Sequence, residues 1–265
     1  MEYPLYTVLF LSGFAGGLLS GLVGIGGGII MFPLLLYAPP AFGLAALSIK
    51  MAAAITSVQS LFGALSGAIA HQRHRQVYWP LARDFGGAMT VTSLIGSVAS
   101  RYISGHWILI LFALMAVIAS ILMLFPRPEV AEPTLETAAP SYSRPRAWIL
   151  GAVIGVCAGL IGQGGGFLFV PVLMAFLGMP LRISIGTALA VGVASSIAVV
   201  LGRLGTAQIP FMLTAITVSG GIIGAQIGAE LSQRIPRRLL RGILALVVMA
   251  TAIKMLYGLA VSPAI

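Results

Sequence analysis

The stretch SGLVGIGGGIIMFPLLL, Ser20 to Leu36, decides how this chain folds. It lies in a strongly apolar region, with no Asp, Glu, Lys or Arg between Tyr3 and Ile49. Yet it holds Gly24, Gly26, Gly27 and Gly28, and Pro33 follows. Gly costs roughly 1 kcal/mol and Pro roughly 3 kcal/mol in a helix interior. A segment that otherwise reads as a membrane helix has been given breakers.

The rest of the chain supports the membrane reading. Hydrophobic residues make up 59% and charged residues 8%, with a mean hydropathy of +1.06. A soluble domain carries about 25% charge, so this surface is not built for water. Charge-free runs span 51–72, 102–126, 147–181, 183–202 and 204–229. Several reach the roughly 20 residues a helix needs to cross a bilayer core. The strands of a membrane barrel would alternate apolar and polar residues, and these runs do not. The fold class is therefore all-α integral membrane, multi-pass, in the cytoplasmic membrane. The opening MEYPLYTVLF has no basic region and reads as a retained span, not a cleaved signal peptide.

The net charge of +9 follows from Lys and Arg collecting in cytoplasmic loops and implies no nucleic-acid partner. Membrane lipid is the expected surrounding, and assembly into a homo-oligomer is left open. The single Cys157 excludes an intrachain disulfide and a multi-cysteine metal site. His71, His74 and His106 lack metal-ligand spacing with acidic residues. No metal and no cofactor is expected.

The opening motif occurs twice. GLVGIGGGIIMFP, Gly21–Pro33, is answered by GLIGQGGGFLFVP, Gly159–Pro171. Gly13 and Gly17 match Gly151 and Gly155 at the same spacing. This is an internal duplication. It divides the chain into a first repeat, 1–125, a hydrophilic linker rich in Pro and Glu, 126–146, and a second repeat, 147–265. Each half carries five apolar pieces. They fall at about 5–22, 29–37, 44–70, 81–99 and 107–125, then at about 147–161, 167–177, 183–202, 210–229 and 240–258. Counting the short pieces or not gives eight to ten membrane segments.

Each glycine cluster either kinks one crossing or reverses the chain. A kink gives four crossings per half and divides the 15 Lys and Arg residues evenly between the two sides. Reversal inverts one half against the other. It leaves only Lys50, Arg101, Arg203 and Lys254 on one side and the other eleven opposite. The positive-inside rule favours reversal, with 71–83, 126–146 and 230–241 cytoplasmic.

Inverted repeats with interrupted helices are a transporter plan whose substrate sits where half-helix N-termini point. Irregular backbone at membrane depth must be buried in protein or line a wet cavity. The N–H groups opening the short helices at Gly28 and Gly166 would form an anion site, and glycine lets the anion approach the backbone. Gly24, Gly26, Gly27 and Gly28 are the candidates in the first half, and Gly164, Gly165 and Gly166 in the second. For Gly13, Gly17, Gly151 and Gly155, close helix packing is the competing explanation. A dinucleotide fingerprint fails, since Ile29 and Phe167 stand where its third glycine belongs. Gln163 faces Ile25 in the alignment and is a polar group in apolar surroundings, so it joins the site. A second polar cluster follows each turn. Thr56, Ser57 and Gln59, with Ser60, answer Thr187, with Ser195 and Ser196. Back-bonding to their own helix is the alternative for the hydroxyls.

At these residues the chain resembles the sulfite exporter TauE/SafE family of membrane transporters, over nearly its whole length. The likeness rests on the paired Gly-x-Gly-Gly-Gly-x4-Pro segments, on Thr56–Ser57, on Gly186–Ala188 and on HQRHRQVYW, His71–Trp79. Tyr78 stands where the family has an Asp. The resemblance implies export of a small sulfur oxyanion, sulfite or an organosulfonate such as sulfoacetate. An anion channel, or a carrier of another small anion, is the alternative. An enzyme is not expected: Ser66 and His71 do not form a nucleophile–base motif. The acids are Glu2, Asp84, Glu129, Glu132, Glu136 and Glu230, none at mid-membrane depth. Efflux of the anion is thus expected to follow the membrane potential, with His71 as the one alternative proton relay.

Overall fold

The structure is a computed structural model that describes residues 2–23, 28–73, 76–124, 142–162, 166–204 and 209–261. Its described residues form ten α-helices, one 3-10 turn and no strand. They are α1 (Glu2–Val23), α2 (Gly28–Ala41), α3 (Ile49–Arg73), α4 (Trp79–Ala99), α5 (Gly105–Leu124), α6 (Arg144–Ile161), α7 (Gly166–Leu177), α8 (Leu181–Leu204), α9 (Phe211–Arg234) and α10 (Arg237–Val261). The five pieces expected in each half are all present.

Boundaries follow local chemistry. The short helices start at Gly28 and Gly166, the last glycine of each cluster. Helix α6 ends at Gly162, whose left-handed backbone (φ 88°) lets its N–H reach the Ala158 carbonyl. Helix α2 runs past Pro39 and Pro40, beyond the end expected from sequence, and closes on Gly43 at φ 72°. There the Leu44 N–H donates back to the Pro39 carbonyl at 2.9 Å. Helix α3 starts five residues later than expected. Ser48 caps it, its Oγ accepting the Met51 N–H at 3.2 Å.

Six of the described helices, α1, α3, α5, α6, α8 and α9, are long and apolar enough to cross a membrane. Large apolar side chains such as Leu11, Val91, Ile95, Ile118, Ile149 and Val153 face outward, as a lipid-facing surface requires. Trp79, Trp107 and Trp148 stand exposed within the first turn or two of α4, α5 and α6, where an aromatic belt belongs.

The helices of the two halves interlock. Helix α1 packs along α9, and α6 packs along α4. Helix α3 meets α8 and α9, while α8 meets α3 and α4. Pairs α2–α3 and α7–α8 correspond, as do α5–α7 and α10–α2. Exchanging the halves maps this set of pairings onto itself. Directions are fixed by glycine contacts. Gly13, Gly17 and Gly21 meet Thr217, Gly221 and Ala225 in turn, so α1 and α9 run parallel. Gly151, Gly155 and Gly159 meet Phe85, Met89 and Ser93, so α6 and α4 run parallel too. In contrast, Gly67 lies beside Leu189 and Gly192 beside Ala64, so the equivalent helices α3 and α8 run antiparallel.

These contacts account for the outer glycines. A methyl group on Gly13, Gly17, Gly151 or Gly155 would collide with the backbone of the partner helix. They are there for close packing, as small residues in membranes are.

Candidate functional site

Gly24, Gly26, Gly27, Gln163, Gly164 and Gly165 lie outside the described residues; Gly28 and Gly166 are the first residues of α2 and α7. What the structure describes is the walls around the two turns. Each turn follows a complete candidate span, Tyr3–Leu22 or Arg144–Ile161. It therefore sits at the far end of a crossing.

At the first turn, α1, α3 and α8 converge. His71 near the end of α3 is 1% exposed. Its Nδ1 lies 2.7 Å from Gln76 Oε1, and its Nε2 lies 3.4 Å from the Gly21 carbonyl in the last turn of α1. The backbone of Gln76 presses on Gly186 of α8. Next door, the Tyr78 N–H donates to Thr187 Oγ1 at 3.0 Å. The family-like segments His71–Trp79 and Gly186–Ala188 thus touch each other.

At the second turn, α6, α8 and α3 converge. Arg203 near the end of α8 is 3% exposed. Its Nη2 donates to the Leu160 carbonyl at 3.3 Å, in the last turn of α6. Its guanidinium packs directly on Gly162, beside the Ala53 carbonyl of α3. No side chain would fit on Gly162 without striking it. Helix ends leave carbonyls in need of donors, and Arg203 meets that need. It also delivers a full positive charge beside the turn that opens α7.

His71 and Arg203 take comparable places without being matched residues: the spacing of 131 that pairs Thr56 with Thr187 puts His71 opposite Gly202, one residue before Arg203. Each lies near the end of α3 or α8 and reaches the last turn of α1 or α6. The first turn carries a titratable ring and the second a permanent cation. Along α3, Ala53 and His71 are 18 residues apart, or about 27 Å at 1.5 Å per residue. The last turns of α1 and α6 therefore lie at opposite ends of the α3–α8 pair.

The hydroxyl candidates are bonded internally. Thr56 donates to the Ala52 carbonyl and Ser57 to the Ala54 carbonyl, each at 2.7 Å. Thr187 is different because it accepts the Tyr78 N–H. The position matching Tyr78 is Pro210, which has no N–H to offer Thr56. Gln59 of α3 is fully buried, with Gly221 of α9 and Ser20 of α1 nearby, and neither amide atom has a hydrogen-bond partner.

Sequence reasoning did not place Arg203 in the site. The signal was there, since Arg203 is the only charge between Arg182 and Glu230. An ionisable residue inside a membrane span marks a functional position. Two of the acids, Asp84 and Glu230, have ion pairs among the described residues. Glu230 pairs with Arg234 at 3.3 Å, both well exposed. Asp84 is more buried than expected. It pairs with Arg83 and Arg144 at 3.6 and 3.5 Å and accepts the Tyr142 hydroxyl at 2.8 Å. Among the described residues no group of three or more His, Cys, Asp or Glu side chains comes together to hold a metal.

Comparison with known proteins agrees with this architecture. The chain is 32% identical to a "Probable membrane transporter protein" of Xylella fastidiosa over 184 residues, 68% of this chain and 65% of that protein. This chain thus spans just under two thirds of that relative's length. It is also 26% identical to "Probable membrane transporter protein YdhB" of Bacillus subtilis over 227 residues, 82% of this chain and 86% of the relative. No solved structure gives a significant match. The sequence matches the family described as Sulfite exporter TauE/SafE over residues 9–255. With its duplicated glycine turns, its interlocked apolar helices and that match, the chain belongs to the TauE/SafE family of membrane transport proteins.

Proposed function

We propose that this protein is a carrier exporting a small sulfur oxyanion, sulfite or an organosulfonate such as sulfoacetate. Its two halves act as an inverted repeat, and Arg203 is the countercharge of the anion. The family match and the transporter relatives support membrane transport. The antiparallel α3–α8 pair, inside pairings unchanged by exchange of halves, supports inversion. A twofold axis along the membrane normal would leave equivalent helices parallel.

The single observation that carries the anion is Arg203, 3% exposed and seated on Gly162 at the mouth of the second turn. A guanidinium matches an oxyanion with two parallel N–H donors. The free N–H groups at the start of α7 and the positive end of its dipole add to the same field. Glycines 164–166 let the oxyanion reach the backbone, with Gln163 beside it. The first turn, Gly24–Gly28 with His71 and Thr187, serves the anion at the opposite face. An inside-negative potential is worth roughly 2.3 kcal/mol per charge per 100 mV and drives such an anion outward.

The test is efflux of radiolabelled sulfite and sulfoacetate from proteoliposomes. Arg203→Gln is expected to raise the half-saturating concentration by about 10- to 100-fold, the worth of roughly 1.5–3 kcal/mol for a hydrogen bond to a charged group. Arg203→Lys should fall between. Unchanged half-saturation in a folded Arg203→Gln protein removes this anion site. Inversion has its own test. Single cysteines at Gln72 and Ser232, in a Cys157→Ser background, should label from the same membrane side.

A further inference from the structure

Helices α1, α3 and α9 meet around one polar side chain that nothing satisfies. Gln59 is fully buried, and both its Nε2 and its Oε1 lack a hydrogen-bond partner. Ser20 of α1, also fully buried, is unpartnered at Oγ. Gly221 of α9 presses on the carboxamide, and a methyl group there would come within 3.0 Å of Nε2. Gly63, one turn along α3, leaves a gap. A methyl group on it would find Ser20 Oγ at 3.5 Å and Gln59 Nε2 at 3.6 Å, ordinary contact distances. Two buried polar groups from different helices thus border one point beside Gly63.

A buried carboxamide with no partner is costly. A space with room for one water and polar walls is where ordered water is found. We propose that Gln59 and Ser20 form a buried water-binding site at the α1–α3–α9 junction. Water suits it because it both donates and accepts, so it satisfies the carboxamide in either of its two flipped orientations. A cation does not suit it. The acids are Glu2, Asp84, Glu129, Glu132, Glu136 and Glu230, so neither α3 nor the α1 segment at Ser20 supplies a countercharge. Glu230 on α9 is exposed and paired with Arg234.

The equivalent junction of α6, α8 and α4 has no such site. Ala158 stands for Ser20, Ala190 for Gln59 and Met89 for Gly221. Ala158 and Met89 are buried and neither brings a hydrogen-bonding side chain to match Ser20 or Gln59. Water therefore enters one half only. It bridges α1 to α3 beside the helix pair that carries the first glycine turn. This inference stands apart from the anion reading and would survive its failure.

The experiment is water-edited solid-state NMR of the full chain in lipid bilayers, with glutamine side-chain nitrogens labelled. Gln59→Asn assigns the resonance, with Gln59→Leu as a second assignment. Despite full burial, the Gln59 amide should take up magnetisation from water several-fold faster than buried backbone amides of α3. Gly63→Ala, whose methyl occupies the gap, should cut that transfer several-fold. Transfer no faster than for the buried backbone, or unchanged in Gly63→Ala, overturns the proposal. A resonance that moves when sodium is replaced by choline also overturns it, by showing a cation in the site.

Discussion

Helix α1 meets α9 with glycines from both sides; helix α6 sets its glycines against an α4 face that carries Thr92 and one glycine, Gly96. In the first pair Gly13, Gly17 and Gly21 face α9, while Gly220, Gly224 and Gly228 face back onto α1. In the second, Gly151, Gly155 and Gly159 face α4, but α4 returns Thr92, Ser93 and Ser97 with Gly96. Ser93 and Ser97 then donate to the Ser195 and Val199 carbonyls of α8, the latter at 2.7 Å. The matching positions on α9 are Ala225 and Ala229, which can donate nothing. The α1–α9 seam is lined on both sides by glycines packed on the partner backbone. The α4 helix is tied to α8 at two points. A shear of α4 against α8 breaks these two bonds, whereas Ala225 and Ala229 give α9 no such bonds to break.

The largest expected effect tests whether the seams are as close as the contacts say. Gly17→Ala should destabilise by about 3 kcal/mol or more, since its methyl would strike the Gly221 backbone with no side chain to yield. Gly155→Ala should cost somewhat less, because part of its obstruction is the Thr92 hydroxyl, which can rotate. Gly87 on α4 faces open space, and Gly87→Ala should be neutral or stabilising. Thermal unfolding followed by size-exclusion recovery ranks the three. If Gly17→Ala melts like Gly87→Ala, the backbone contact between α1 and α9 is wrong.

A smaller effect tests the hydrogen bonds. Ser97→Ala should cost about 1 kcal/mol, and less if the membrane reference state also finds partners. The converse is more informative. Ala225→Ser with Ala229→Ser gives α9 the hydroxyls of α4. If the new hydroxyls tie α9 to α3 as Ser93 and Ser97 tie α4 to α8, stability should hold or rise by up to about 1 kcal/mol, and transport should slow as α9 is fixed against α3. Stability and rate both unchanged would mean that α9 does not slide on α3 during turnover.

Much of this was legible in the sequence, for a physical reason. Hydropathy and breakers act locally, so the duplicated cluster gave the starts of α2 and α7 at Gly28 and Gly166. The glycine stripe at Gly13 and Gly17 was visible too, with packing as one explanation. Its partner was not. Periodicity says which face of a helix is small but not which distant helix lies on it, and here the partner comes from the other half. Arg203 was passed over because it was counted as a loop charge. Its place against the last turn of α6, like that of His71 against the last turn of α1, emerges only from contacts between helices. Gln59 was correctly seen as polar in an apolar setting. That it lies beside Ser20 and Gly221 depends on contacts between helices that no local pattern encodes.

The least effect concerns the start of the α4–α6 pair. There Tyr142 donates to Asp84 at 2.8 Å, and its ring meets Tyr78 edge-on at 6.0 Å. The α1–α9 pair has nothing similar, since Pro4 and Ile216 stand at the matching positions. Burial, then the bond to Asp84, pushes the Tyr142 phenol up to about 12 from its usual 10. A phenol is neutral when protonated, and both causes favour that form. The folded value lies above the unfolded one. The contribution of Tyr142 is therefore complete below pH 10 and is lost as the pH rises through about 12. Arg83 and Arg144 around Asp84 are largely exposed, so solvent screens the cluster. Tyr142→Phe should cost below about 1 kcal/mol at neutral pH. Tyrosinate absorbance gives the decisive reading. The folded variant should release one fewer proton near pH 12 than the native chain, with the alkaline steps near pH 10 unchanged. If the missing step falls near pH 10, Tyr142 is not held by Asp84, and the two helix pairs differ only in their hydroxyls.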